Sequence, residues 1–137
     1  MSIRAGRWWL IAVLCLALAG CARAEDAAVR AVGEARSAVV VAQTATRLLL
    51  DGRSSAPYTQ VVLSEALDAV AEAGQGLREA SEDDRERTAL ARRVLRDAEA
   101  AIDDLADAGT AGLDAAALHR LDTTVRELDA ALVELRR

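Results

Sequence analysis

The sequence predicts an all-α fold, an up-down four-helix bundle. Three observations carry that prediction. Apolar residues recur at steps of three and four over most of the chain, and no stretch sustains the alternation of a strand. The breaks between periodic runs are short and carry helix-end chemistry: Gly52–Pro57, Ser81–Asp84 and Gly109–Asp114. The four runs, at 26–51, 57–80, 83–108 and 114–136, are similar in length, and short loops between such helices favour antiparallel neighbours.

The first run has the stripe Val29, Val32, Ala35, Val39, Ala42, Thr46, Leu49, widened by Val40 and Val41. Gly52 is its stop, because glycine takes the left-handed conformation of a helix end without steric cost. Arg53–Ala56 reads as a loop. Pro57 has no N–H to lose in a first turn and marks the second start. Val62, Ala66, Val70, Ala73, Leu77 and Ala80 form the second stripe, and Gly74 and Gly76 weaken its last third. Ser81-Glu82-Asp83-Asp84 fits an N-cap followed by acids that favour the helix dipole. The third stripe is Leu90 or Ala91, Val94, Ala98, Ile102, Leu105. Asp114 caps the fourth helix, with Leu113 and Leu118 at the positions of a hydrophobic staple. Leu118, Leu121, Val125, Leu128, Leu132 and Leu135 then give the cleanest stripe in the chain, suited to close antiparallel packing or a short coiled coil. The runner-up architecture is an extended hairpin array that completes its core by forming a homodimer.

The first twenty residues are built differently. A basic tip (Arg4, Arg7) precedes the apolar run Trp8–Gly20, which ends in small residues, as in an export signal. As a helix that run spans only about 20 Å against about 30 Å of bilayer hydrocarbon. The segment Leu18-Ala19-Gly20-Cys21 resembles the lipobox of bacterial lipoproteins, and the resemblance covers residues 1–22. It implies that the Cys21 thiol receives a diacylglycerol, that the signal peptide is cut before Cys21, and that the new amine is acylated, for instance with palmitate. One acyl chain binds a bilayer marginally and two or three hold firmly. The implied location is the extracytoplasmic face of the cell membrane. Ala22 is not the Asp associated with inner-membrane retention, so an outer membrane is permitted in a two-membrane bacterium. Ala22-Arg23-Ala24 is also an A-x-A site, and cutting before Glu25 leaves a secreted soluble bundle instead. An uncleaved N-terminal anchor is the third alternative.

After the signal, 117 residues remain, enough for one small domain, with 21–25 as lipidated Cys and tether and 26–137 as the bundle. They hold 15 Arg, no Lys and 22 acids. Such a chain is repelled by nucleic acid and has no general basic face for lipid. Both Trp residues and Cys15 leave with the signal, so Cys21 is the remaining Cys and Tyr58 the remaining aromatic. No intramolecular disulfide can form. Leu, Val and Ile number 15, 11 and 1, a composition just sufficient for a core of Leu, Val and Ala.

The sequence offers little to catalysis. Bundle di-iron sites need two Glu-x-x-His pairs, and His119 is the only His, with Ala116 three residues before it. His119 and Asp122 lie one turn apart and read as a solvated face. Glu65, Asp68 and Glu72, and Asp103, Asp104 and Asp107, are acids without calcium-loop spacing. Haem ligation would fall to His119 alone. No nucleophile-elbow glycines flank Ser37, Ser54, Ser55, Ser64 or Ser81, and Gly74-Gln75-Gly76 lacks the rest of a phosphate loop. The reading is not an enzyme, with no metal and no cofactor beyond the covalent lipid. Two binding classes remain: a helical interaction or structural module of the cell envelope with a protein partner, or a carrier of an apolar small molecule or lipid inside the bundle. The short tether orients an up-down bundle with the Ser81 turn and the C-terminus toward the membrane. The Gly52–Pro57 loop is then distal, and Arg53 and Tyr58 are the candidate partner contacts.

Overall fold

Among the described residues, four helices form where the periodicity places them: α1 Ala27–Leu50, α2 Ala56–Glu79, α3 Arg85–Ala108 and α4 Ala115–Leu135. A single 3-10 turn, Thr110–Gly112, sits between α3 and α4. The structure, a computed structural model, describes residues 26–79 and 84–137. The lipobox residues Leu18, Ala19, Gly20 and Cys21 lie outside the described residues, as do Ala80 and Ser81–Asp83.

Side-chain caps start three helices. Asp26 accepts a hydrogen bond from the Ala28 N–H at 2.9 Å, Asp84 from Glu86 and Arg87, and Asp114 from Ala117 at 2.8 Å. α2 begins one residue earlier than Pro57 suggests. The Ser55 hydroxyl accepts from the Tyr58 N–H at 3.4 Å, so the proline falls in the first turn, where its missing N–H has no intrahelical partner to lose. α1 ends in a Schellman motif: Gly52, at φ +68°, donates to the Leu49 carbonyl at 3.0 Å, and Arg53 donates to that of Leu48 at 2.8 Å. α2 runs unbroken through Gly74 and Gly76 to Glu79. Burial of Val70, Ala73 and Leu77 on its inner face outweighs the weak propensity of the two glycines.

Neighbouring helices are antiparallel, and polar links record the register. Arg36 of α1 pairs with Asp129 of α4, and Gln43 donates to Asp122 at 3.3 Å one heptad further along. Gln60 of α2 donates to the Ala106 carbonyl of α3 at 3.2 Å. One end of the bundle therefore holds Asp26, Glu79, Asp84 and the C-terminus; this is the near end. The far end holds the Gly52–Ser55 loop and the 3-10 turn. α1 packs against all three other helices, including α3 across the diagonal, while α2 and α4 have no comparable contact. The small buried residues Ala28, Ala31, Ala35, Ala38, Ala42 and Ala45 give α1 the slim surface such a position needs.

The core is Leu63, Val70, Ile102, Leu105, Leu121, Leu128 and Leu135 with the alanines and valines between them; among the described residues it holds no aromatic. The leucine stripe of α4 faces inward, with Leu121, Leu128, Leu132 and Leu135 buried and Leu118 and Val125 half-buried. Val41 departs from its expected place: it is 55% exposed, and Val40 is half-buried. At about 100° per residue, a triplet of valines cannot all face one core, and Val39 occupies the inward position.

Asp26 joins helix capping to tertiary contact. Its carboxylate also takes hydrogen bonds from Arg87 of α3, with Nε at 3.1 Å. The Arg87 hydrogen bonds hold its pKa below the ordinary 3.8, with burial opposing and the Ala28 N–H and the Arg87 charge adding to the fall. A lowered carboxylate pKa gives stability that is complete above the unfolded value and lost as pH falls through the folded one. Asp26→Ala is expected to lower stability by about 1–2 kcal/mol, the sum of a lost cap and an exposed ion pair. Asp26→Asn keeps a capping oxygen, loses only the ionic part, and no longer responds to acidification. Urea unfolding at neutral pH and at a pH below the ordinary carboxylate range separates the two. Equal losses for Ala and Asn would show that the cap contributes nothing.

Candidate functional site

Packing leaves a strip of apolar side chains uncovered at the far end. Val41 on α1 and Tyr58 and Val61 on α2 are 55%, 57% and 54% exposed. A shallow groove between α1 and α2 links the helices: Val41, Ala38 and Ser37 form one wall, and Val62, Glu65 and Ala69 the other. Tyr58 and Val61 precede Val62 and Glu65 by one helical turn, so they continue the same side of α2 toward the loop. Single exposed apolar residues are ordinary on a protein surface; Val41 on the groove, with Val61 and Tyr58 continuing along α2, forms a patch of the kind that marks contact sites.

The strip follows from the sequence locally. Val40-Val41 and Val61-Val62 are adjacent β-branched pairs, and a helix can bury only one member of each well. Val62 is buried and Val61 is left outside. The expectation of Arg53 and Tyr58 as contacts did not include either valine. The valine doublets were the available signal. Arg53 is exposed, and its backbone N–H is held by the α1 cap.

Charge separates the two ends. In residues 26–38, 68–79, 84–97 and 126–137, the near half, eleven arginines face eleven carboxylates. In residues 39–67 and 98–125, the far half, three arginines face eight carboxylates. Six of these eight carboxylates lie in residues 98–125, while residues 39–67, which carry the strip, hold two arginines and two carboxylates.

The remaining candidate residues are dispersed. His119 is exposed on α4, and Asp122 is engaged by Gln43 and by Arg126 at 3.2 Å. Glu65 lines the α1–α2 groove, while Asp68, Glu72, Asp103, Asp104 and Asp107 are exposed. Among the described residues, no three His, Cys, Asp or Glu side chains group to hold a metal. The Ser37 hydroxyl bonds to its own helix at the Gly33 carbonyl. No described helix is long and apolar enough to cross a membrane. No known family, curated protein or solved structure matches the chain.

Proposed function

We propose that the chain is a lipid-anchored bacterial cell-envelope protein that acts as a non-catalytic helical interaction module. The exposed strip of Val41, Tyr58 and Val61 at the far end carries this reading. Cys21 holds the near end to the membrane through its lipid. Residues 22–25 can span at most about 14 Å, and at 1.5 Å per residue Val41, Val61 and Tyr58 stand about 21–32 Å along α1 and α2 from the near end. The partner is an envelope protein that presents apolar side chains to this strip.

Two measurements test the reading in turn. The intact mass of the mature protein from native cells is expected to begin at Cys21 with acyl groups attached, and Cys21→Ala is expected to move the chain out of the membrane fraction. An unmodified chain beginning at Glu25 overturns the anchor. A photo-crosslinker at position 61 is expected to trap one envelope protein, and the trapped band is expected to disappear in Val41→Asp and in the Arg53→Ala/Tyr58→Ala pair. These exposed changes cost little stability, so a crosslink that survives them in folded protein rules out the strip as the contact.

A further inference from the structure

A second groove, of about 410 Å³, opens between α2 and α3 in the near half and its chemistry is opposite to that of the strip. Arg78, Arg92 and Arg96 line it with Gly74, Leu95 and Glu99. Arg92 is half-buried in the wall, and Arg78 and Arg96 are exposed. A Cβ at Gly74 would lie 3.6 Å from Nη1 of Arg78, so that guanidinium is folded back over the glycine and into the groove. Glu79, the acid next to Arg78, is engaged by Gln75 at 2.9 Å.

Four arginines pair with carboxylates: Arg36 with Asp129, Arg87 with Asp26, Arg126 with Asp122 and Arg137 with Glu134. Neither Arg78 nor Arg96 has an ion pair or hydrogen bond among the described residues. Two guanidiniums without a partner among the described residues, beside the engaged Arg92 in a concave site, match the oxygens of a phosphate, which Arg grips through paired N–H groups. Glu99 closes the far-half end of the groove with a negative charge, which confines an anion to the three arginines. The groove lies in the half where Asp26 follows Cys21 by five residues and where Arg85, Arg93, Arg136 and Arg137 are also exposed. At a bilayer surface, each such cation is attracted by anionic lipid within about a Debye length.

We infer that the α2–α3 groove of Arg78, Arg92 and Arg96 binds the phosphate of an anionic phospholipid headgroup and so fixes how the bundle stands on its membrane. The lipid source of the phosphate rests on the anchored reading above; the phosphate chemistry does not. Lipidation restrains one point only, and a bundle held by a four-residue tether is free to tilt. A headgroup seated between α2 and α3 supplies a second point and holds the far-end strip at a defined height.

The test uses the full chain in maltoside micelles, which carry no phosphate, with the arginine side-chain N–H signals followed by NMR. Phosphatidylglycerol, phosphatidylcholine and inorganic phosphate are titrated separately. Phosphatidylglycerol is expected to shift Arg78, Arg92 and Arg96 saturably while Arg47, Arg53 and Arg120 of the far half stay in place. Arg78→Gln with Arg96→Gln is expected to weaken that binding at least about tenfold, and Arg47→Gln with Arg120→Gln to leave it unchanged. Uniform shifts at all arginines, or no shift in the groove, would overturn the site. Saturation by millimolar inorganic phosphate with no further response to phosphatidylglycerol would overturn the lipid assignment. Repeating the titration in Cys21→Ala separates the two proposals: groove binding that persists there, in a protein whose native mass shows no acylation, fails the anchor and keeps the site.

Discussion

Replacing Leu128 with Ala is expected to remove about 2–5 kcal/mol of stability, by the transfer of the lost methyl groups and the cavity left behind. Leu128 is fully buried in the middle of α4, near the centre of the stripe that closes the core. The surroundings cannot collapse into the space. The buried core around the helices is rich in Ala and Val, whose short side chains reach poorly into a gap, and α1 and α3 already approach closely across the diagonal. A domain of this size is stable by about 5–15 kcal/mol in total, so the loss is a large share of it. No aromatic ring in the described core is available to swing into the gap. Val133→Ala is the control, since Val133 is 57% exposed on the next turn and is expected to cost under about 0.5 kcal/mol. Urea unfolding followed by far-ultraviolet circular dichroism measures both. A Leu128→Ala cost near that of Val133→Ala would mean that α4 does not present this face to the core.

The same substitution, Gly→Ala, is expected to change sign with position. Gly33 and Gly76 lie inside α1 and α2, and a Cβ at either meets nothing within 4 Å. Each replacement is expected to stabilise by about 0.8–1 kcal/mol, because Ala loses less backbone entropy than Gly on entering a helix. The pair together should raise the melting temperature by several degrees, at about 4–8 °C per kcal/mol for a small domain. Gly52→Ala should instead cost about 1–2 kcal/mol, since its φ of +68° is unfavourable for any residue with a Cβ. Gly112→Ala is also expected to destabilise: its Cβ would come within 2.7 Å of the Ala108 Cβ, and the end of α3 must move. Thermal melts of the four variants decide the matter. Stabilisation by Gly52→Ala would show that the Schellman turn is not held as described.

These expectations draw unequally on the sequence. The four helices lie within about two residues of their predicted ends, because caps and stops are local chemistry: Asp114 and Gly52 act on their own turns whatever packs beside them. The buried stripes are legible for the same reason, since Val62, Val70, Ile102 and Leu128 stand at steps a helix turns to one side. The α2 glycines marked a weak segment, yet the helix is continuous there, because burial is a sum over the whole face and not a property of two residues. On the candidate surfaces, Tyr58 was visible as the sole aromatic of residues 26–137, but Val41 read as part of the inward stripe and Val61 had no assigned role. Only docking α1 against α2 decides which member of each valine pair is covered. The arginine groove had no signature at all: Arg78 is separated from Arg92 and Arg96 by a turn of chain, and they meet only because α2 and α3 pack antiparallel.

By itself, then, the sequence determined the four helices, their inward faces and the acid surplus, all of which depend on composition or on neighbours within a few turns. The tertiary structure decided the near-contact of α1 with α3, the concentration of that surplus at the far end, and the two opposed surfaces, an apolar strip and an arginine groove. The physical reason is that helix formation and capping act over three or four residues, whereas a groove is made by side chains from two helices whose register is set by the packing of the whole core.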